Sequence, residues 1–498
     1  MAEKSIIIIG AGIAGLSTGC YGQMSGYNTQ IFELHDKPGG LCTSWKRKGY
    51  TFDGCIHWLV GSGSGTSFNR VWSELGALQG RSIVDHEEFL RIEGTDGKAL
   101  IIYTNIDQLE QHMNELSPAD AEVIKEFADA VRFFSRSEMP LGKPRELYSL
   151  LDGLKSAFGM RKFMRPFMKW KKLSVREFAS RFSDPFLREA FPLILDLDDF
   201  PMAAVLFTLA VMHNHDAGYP IGGSLPFSQA IKQRYLDLGG EIHYKSRVEK
   251  ILVENDHAVG IKLTDGTEHR ADVVVSAADG HATIFDMLEG KYVNDKIRGY
   301  YDKLPIFQPY IQVSLGVARD LSDEPQTIVY ALEEPVSIAG KERRHLEIKH
   351  YCFDPTLTPQ GKSAVTVLIS SNYDYWKPLL EDRGRYENEK QQIADVVINQ
   401  LDKRFPGIKE QVEIVDVATP TTFERYTGNW QGSFEGWLIT TKSFGMSMSK
   451  TLPGLKSFYM VGQWVEPGGG LPTSALSGRN VMQIICHQDK KQFVAQTP

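Results

Sequence analysis

The stretch Ser5–Glu33, SIIIIGAGIAGLSTGCYGQMSGYNTQIFE, reads as strand, glycine turn, helix and second strand. Its opening run of isoleucines is short and continuously apolar, the pattern of a parallel strand buried on both faces. Gly10, Gly12 and Gly15 then give GxGxxG where a helix begins. In that arrangement Gly10 permits the tight turn, Gly12 lets a pyrophosphate approach the backbone with no Cβ between them, and Gly15 lets the helix lie close on the strand. The helix N-terminus adds unpaired N–H groups and a partial positive charge. Glu33 closes the second strand about 20 residues on, where an acid takes a ribose hydroxyl pair and repels a 2′-phosphate. A glycine-rich helix start alone can serve packing; strand, helix, second strand and acid together predict an adenine dinucleotide lacking that phosphate, NAD or FAD.

Two further elements follow, Pro38-Gly39-Gly40-Leu41-Cys42-Thr43-Ser44 and Gly49-Tyr50-Thr51-Phe52-Asp53-Gly54. With them the chain resembles the flavin amine oxidase and phytoene desaturase superfamily. There the paired glycines pass along the FAD pyrophosphate and ribityl chain, and the later aspartate–glycine element turns under the isoalloxazine. NAD dehydrogenases have no such second element. The resemblance therefore implies FAD, with Gly10, Gly12, Ala14, Gly15, Glu33, Gly39, Gly40, Leu41 and Thr43 among its contacts. Leu41 stands where many relatives place an arginine. The run Phe52–Gly61, FDGCIHWLVG, is similar to an element of the retinol saturases, which implies that His57 lies near the flavin; the alternative is a histidine that hydrogen-bonds a buried backbone group.

With 498 residues, 42% hydrophobic and 23% charged, the chain has room for two or three domains and a large core. A net charge of −7 argues against a nucleic-acid partner. Cys20, Cys42, Cys55, Cys352 and Cys486 have no CxxC spacing, so they predict neither a disulfide scaffold nor a metal centre and fit a reducing cytoplasm. The apolar N-terminus runs into the nucleotide turn without the basic region of a signal peptide. No apolar run reaches the roughly 20 residues that a spanning helix needs.

Ser82–Ile102 alternates around Asp96-Gly97 and predicts a hairpin, and helical spacing dominates from Ile106 to Arg136. Leu150–Phe182 is the basic exception. Lys155, Arg161, Lys162, Arg165, Lys169, Lys171, Lys172 and Arg176 stand among Met160, Phe163, Met164, Phe167, Met168 and Trp170 at helical spacing, with Pro166 as a kink. Such a helix suits transient contact with an anionic membrane surface, giving a cytoplasmic protein peripheral at the membrane. The alternative is a core-facing helix with a solvated back. Phe200–Met212 predicts a buried helix, and His213 and His215 read as loop residues without a third metal ligand.

From Tyr219 the nucleotide-binding part returns. Tyr219–Ser224 leads into a helix over Leu225–Leu238, and short strands are expected over Glu241–Tyr244, Val248–Glu254, Val259–Leu263 and Ala271–Ser276. By resemblance Val248 contacts the adenine through its backbone, and Ser276, Ala277 and Ala278 lie along the cofactor. Tyr310–Val317 and Ala364–Ser370 predict strands, and Asn388–Phe405 a helix stopped by Pro406-Gly407. Tyr373, Tyr375, Trp376, Phe423, Tyr426, Trp430, Phe434 and Trp437 could face an apolar ligand or fill core. The strand Phe458–Val461 precedes Gly462-Gln463-Trp464-Val465-Glu466-Pro467-Gly468-Gly469-Gly470-Leu471-Pro472 and a helix to about His487. In the superfamily this helix start faces the pyrimidine end of the flavin, which implies contacts from Gly462, Gln463, Gly470 and Leu471. Many members carry an acid where this chain has Gln463, and an amide still hydrogen-bonds a ribityl hydroxyl.

The expected fold is α/β: a Rossmann-type FAD-binding domain of the amine oxidase and GDP-dissociation-inhibitor kind with a discontinuous α+β substrate domain. Residues 1–80, 219–290 and 450–498 form the first and 81–218 and 291–449 the second. The resemblance to phytoene desaturases, carotenoid isomerases and retinol saturases implies hydride exchange between flavin N5 and a carbon of a long, apolar, unsaturated small molecule. His57 and Glu466 are the candidate proton carriers, although a glutamate at a helix start can be a structural anion. Two other readings stay open: an amine oxidase, and a non-catalytic lipid or prenyl carrier on the same fold.

Overall fold

The computed structural model describes residues 4–137, 142–149, 151–153, 161–197, 199–446 and 448–498. Its first organising layer is a five-stranded parallel sheet, with Phe458–Met460 at one edge, then Val273–Ser276, Ser5–Ile9 and Asn28–Phe32, and Glu241–His243 at the other edge. Ser5–Ile9 is central, with Ile8 opposite Val275 on one side and Ile31 on the other. Both faces of that strand are covered, which is why it carries isoleucine at consecutive positions rather than at alternate ones. Ile6 and Ile8 pack with Leu16, Ile231 and Val481 from the helices Ile13–Met24, Ser224–Asp237 and Gly470–Gln488. Ile7 and Ile9 pack the other way, against Ile251 and Ile261 of a three-stranded sheet formed by Val248–Glu254, His257–Leu263 and Glu268–Arg270.

The second layer is a seven-stranded sheet in the order Val412–Ala418, Tyr310–Val317, Ser363–Ser370, Lys341–His350, Thr327–Ile338, Glu88–Glu93, Ala99–Tyr103. All pairings are antiparallel except that of Thr327–Ile338 with Glu88–Glu93. One face packs on the helix Arg383–Arg404, where Val397 and Leu401 meet Val313, Ile348 and Val367. The opposite face looks into the protein. Above it lie the helices Ile106–Leu116, Ala121–Ser135, Arg161–Lys171 and Met202–His213. No helix among the described residues is long and apolar enough to cross a membrane.

The structure adjusts several expectations. The helical spacing from Ile106 to Arg136 is realised as two helices, because Pro118 follows the Ser117 cap and starts a short 3-10 turn between them. His213 is not in a loop: it is the last residue of Met202–His213, and its Nδ1 accepts a hydrogen bond from the Ile106 N–H at 3.4 Å. Within Arg161–Lys171 the phenylalanines turn inward, Phe163 onto Phe133, Phe134 and Phe207 and Phe167 onto Phe444. Trp170 is buried, and Met164 stays 38% exposed on the outer side. Lys155 and Met160 lie outside the described residues, as does the side chain of Lys162. The strands Thr327–Ile338 and Lys341–His350 have no counterpart in the sequence reading. The second of them opens with KERR and looks like a solvated surface.

Candidate active site

At the end of the first strand three loops converge. The Gly39 N–H donates to the Ala11 carbonyl at 2.9 Å, which docks the paired-glycine turn onto the GxGxxG turn. The Val461 N–H donates to the Ser276 carbonyl at 2.9 Å, and the Gly462 N–H to Ser477 Oγ at 2.8 Å, bringing the tail beside them. Gly15 has no room for a side chain, since a Cβ there would stand 2.0 Å from the Gly10 carbonyl oxygen. Gly12 is the opposite case: a Cβ would meet no protein atom within 4 Å and would point into open space. That difference separates a glycine needed for packing from one needed for a ligand.

Glu33 sits at the end of the second strand, held by the Ala11 N–H at 2.6 Å and the His35 N–H at 2.8 Å. Burial raises its carboxyl above the usual range, against the lowering effect of these donors. Asp53 is a fastener. Its carboxylate accepts from the Ser224 N–H at 2.7 Å, the Ser224 hydroxyl at 2.5 Å, and the N–H groups of Cys55 and Ile56 at 3.0 and 3.1 Å. It thereby ties the strand Tyr50–Asp53 to the start of the helix Ser224–Asp237.

From this junction one cavity of about 810 Å³ runs through the protein. Gly10, Gly12, Ala14, Glu33, Gly39, Gly40, Leu41, His57, Val248, Ala277, Gly462, Gln463, Gly470 and Leu471 all line it. Gly15, Thr43, Ser276 and Glu466 do not. Gly15 lies behind the turn, and the Ser276 hydroxyl is spent on Thr283 at 2.7 Å. Thr43 Oγ1 is buried without a protein partner just behind the paired glycines. Glu466 is paired with the nearly buried Lys450 at 2.9 Å, and Lys450 also holds Glu146 at 2.9 Å. Of the eight aromatics singled out between residues 373 and 437, only Phe434 reaches the wall.

Beyond the glycine turns the cavity has two unlike sides. Phe134, Phe200, Phe207, Val211 and Phe444 make one of them apolar. The other is the inward face of the seven-stranded sheet, with Tyr310, Thr327, Glu347 and Lys349. Glu347 and Lys349 alternate with Leu346 and Ile348, which face the core, so strand geometry aims the two charged residues inward. Burial lowers the Lys349 ammonium to about 8, with Glu347 and Asp53 acting against it. Burial raises the Glu347 carboxyl. It also holds His57 well below the usual histidine range, and the charge of Lys349 adds to that, so His57 is neutral at pH 7. Glu435 packs against Gly469, at the start of the closing helix, and burial alone pushes its carboxyl to about 7. Glu435, Glu347 and Lys349 were not found from sequence. Polar and apolar residues alternate only over residues 345–349, after the polar run KERR, and that short pattern carries no indication that the polar side faces inward.

The residues fit a flavin dinucleotide. Gly12 leaves space where a pyrophosphate would lie, Glu33 follows the second strand on the cavity wall where a ribose would bind, and the closing helix begins at Gly470 with Gly469 supplying no side-chain cap. The first N–H groups of that helix are thus free to face an anionic ring. Gln463, in place of an acid, keeps a hydrogen-bonding amide on the wall.

Fold and site together define a flavoprotein whose dinucleotide crevice opens into an internal, largely apolar chamber. The chain belongs to the family described as flavin containing amine oxidoreductase, which it matches over residues 13–486. It is an FAD-dependent oxidoreductase. It is similar to a prolycopene isomerase from Daucus carota (24% identical, covering 96% of this chain and 79% of that one). It is also similar to a neurosporene-forming phytoene desaturase from Rhodobacter capsulatus (27% identical, covering 98% and 95%). In fold it resembles the crystal structure of an oxidoreductase from Methanosarcina mazei, with a TM-score of 0.60 at 18% identity over 96% of this chain and 100% of that one.

Proposed function

We propose that the protein exchanges hydride between its flavin and a carbon of a long, apolar, unsaturated molecule of the carotenoid, retinoid or isoprenoid kind, as a desaturase, saturase or isomerase. One observation carries this reading: the cavity that begins at Gly12 continues without a break between the phenylalanine side and the sheet face. The names of the carrot and Rhodobacter relatives point to the same substrate class. Residues 1–80, 219–290 and 450–498 form the cofactor-binding part in this reading, and 81–218 and 291–449 the substrate part; the strands of the two main sheets divide along the same lines.

When bound, the flavin supplies the acceptor or donor of hydride. The protein supplies the rest. Gly12, Gly39, Gly40 and the helix start at Gly470 hold the dinucleotide, and Glu33 takes a ribose. The phenylalanines would exclude water and orient the reacting carbon toward the bound ring, and orientation of that kind supplies roughly 7 to 11 kcal/mol. His57 is a proton carrier because it is neutral and lies on the wall. Glu435 is a second, because its carboxyl titrates near pH 7 beside the closing helix. Glu466 serves as the structural anion that keeps Lys450 paired. The helix Arg161–Lys171 offers Met164 and its basic neighbours for transient contact with a membrane surface, from which an apolar substrate is collected.

Anaerobic photoreduction followed by challenge with polyenes, quinones and oxygen tests the function. Oxidation of the reduced flavin coupled to a change in polyene absorbance is the expected result. Peroxide formation with amines, and no response to any polyene, would move the protein to the amine oxidases. His57→Ala is expected to keep its flavin and to slow turnover by about 10²-fold, read by steady-state rates.

A further inference from the structure

Behind His57 lies a second, smaller chamber of about 30 Å³. His57, Trp58, Phe89 and Lys349 line both it and the main cavity, so these four residues form the partition between the two spaces, with His57 and Lys349 as its polar members. The volume exceeds the roughly 10 to 15 Å³ needed to seat one water. Its wall carries His86, whose Nε2 is buried and meets no protein hydrogen-bond partner. The His86 ring packs edge-on against Phe353, with centroids 4.5 Å apart, and its carbonyl accepts from Thr104 Oγ1 at 2.9 Å. On the far side the chamber is lined by Asp85 and His215, both solvent-exposed. Polar groups, Thr104 and Gln326 among them, therefore follow one another from the reaction cavity to the surface through a space whose apolar walls are Trp58, Phe89, Met212 and Ala217.

We propose that this chamber is a proton passage: Lys349 and His57 stand at its inner end, His86 in its middle, and Asp85 and His215 at its mouth, joined by water. The proposal rests on the hydride-transfer reading above. In desaturation one substrate C–H bond gives its electron pair and hydrogen to the flavin as hydride. A neighbouring C–H bond gives up a proton, and its electrons become the new C=C bond. That proton passes to the partition residues and leaves by way of His86; in saturation the same proton enters from water. A long apolar substrate fills the main cavity during this step and blocks that route to solvent, so a side path is what the chemistry requires. The surroundings of His86 keep its ring neutral, so it relays a proton between its two nitrogens rather than storing the charge. Lys349 and His350 both oppose a positive charge on it, burial does so more strongly, and its pKa falls to about 4. His57 is likewise neutral, while Lys349 titrates at about 8 and can hold or release a proton near neutrality. Asp85, His215 and the buried Tyr219 are the remaining titratable groups on the wall.

The test compares FAD-loaded wild type with His86→Phe, which keeps a ring against Phe353 but cannot carry a proton, and with His86→Ala. The first measurement needs no substrate: with squalane filling the main cavity, proton uptake on photoreduction is followed with a pH-indicator dye. Uptake is expected to slow by about 10-fold or more in both variants, and imidazole in solution to restore it in His86→Ala but not in His86→Phe. Polyene turnover is expected to slow with a raised solvent isotope effect at unchanged flavin content. A high-resolution crystal structure is expected to show water within hydrogen-bond distance of His86 Nε2. Wild-type proton uptake, isotope effect and turnover in both variants would overturn the passage while leaving hydride transfer intact. Should wild type act on no polyene, the substrate reading fails instead, and dye-detected uptake still decides whether the passage exists. If His86→Ala does not fold, His86→Phe carries the comparison.

Discussion

The two sheets of this protein treat their inward faces in opposite ways. In the five-stranded parallel sheet both faces are apolar, and Ile6, Ile7, Ile8 and Ile9 are each no more than 3% exposed. In the seven-stranded sheet one face is apolar, while the other, equally inside the molecule, carries Gln312, Thr327, Glu347 and Lys349. The first sheet is a platform: it positions loops at the ends of its strands, and the chemistry sits beyond them. The second is itself a wall of the site, so its side chains are chosen for the reaction space at a cost in burial energy. Where a sheet face is polar yet internal, a cavity explains it.

The sharpest way to break this comparison is at the platform. Gly15→Ala would drive a methyl to 2.0 Å from the Gly10 carbonyl, a backbone collision that no side-chain movement relieves. The expected outcome is a destabilisation of about 4 kcal/mol or more, seen as loss of soluble protein and of the thermal transition. Three residues earlier, Gly12→Val is expected to leave the fold intact, because a Cβ there meets no protein atom within 4 Å. Its effect falls on the ligand. Flavin content after purification should drop to near zero while the apoprotein melts as wild type does; stoichiometric FAD in the variant would place the pyrophosphate elsewhere.

The wall sheet offers a third, smaller effect with a pH signature. The Lys349 ammonium is lowered by burial from 10.5 to about 8. Below pH 8 it is charged in both folded and unfolded chains, and the burial cost is present in full. Between pH 8 and 10.5 the folded chain has released the proton and the unfolded chain has not, so the cost is relieved as pH rises. Lys349→Met should therefore be more stable than wild type by on the order of 3 kcal/mol at pH 7, and should lose that advantage by pH 10.5. Urea melts of the FAD-loaded proteins across this range measure it; a difference that does not change with pH would mean the lysine is not desolvated. The smallest effect is expected on the helix Arg161–Lys171, where Met164→Glu lies on the outer side. Stability should change by about 0.5 kcal/mol or less, while co-sedimentation with anionic vesicles falls.

How far the site could be read in advance follows the same division. The turn at Gly10–Gly15, Glu33, the paired glycines and the tail at Gly462–Leu471 were legible because each is local: a few residues whose types and spacing have one good structural solution. Their convergence on one cavity follows from the order of the parallel strands. Glu435 and the strand pair Thr327–Ile338 and Lys341–His350 were not legible. Glu347 and Lys349 look like solvated charges in a sequence rich in them, and only their partners across the cavity make them interior. The basic stretch shows the converse, since Phe163 and Phe167 could suit a membrane or a core and the neighbours Phe133, Phe207 and Phe444 decide for the core.

The sequence by itself determined that this chain folds around a dinucleotide turn, since backbone approach to a phosphate needs glycine at fixed short spacings, and its resemblance to a flavoprotein superfamily named FAD as the dinucleotide. The tertiary structure alone decided which face of the second sheet became the wall of the chamber, which charges entered it, and that His57, Trp58, Phe89 and Lys349 divide it from the small space beside His86. These depend on contacts between segments hundreds of residues apart, where burial is a property of the assembled layers and leaves no local mark on residue order.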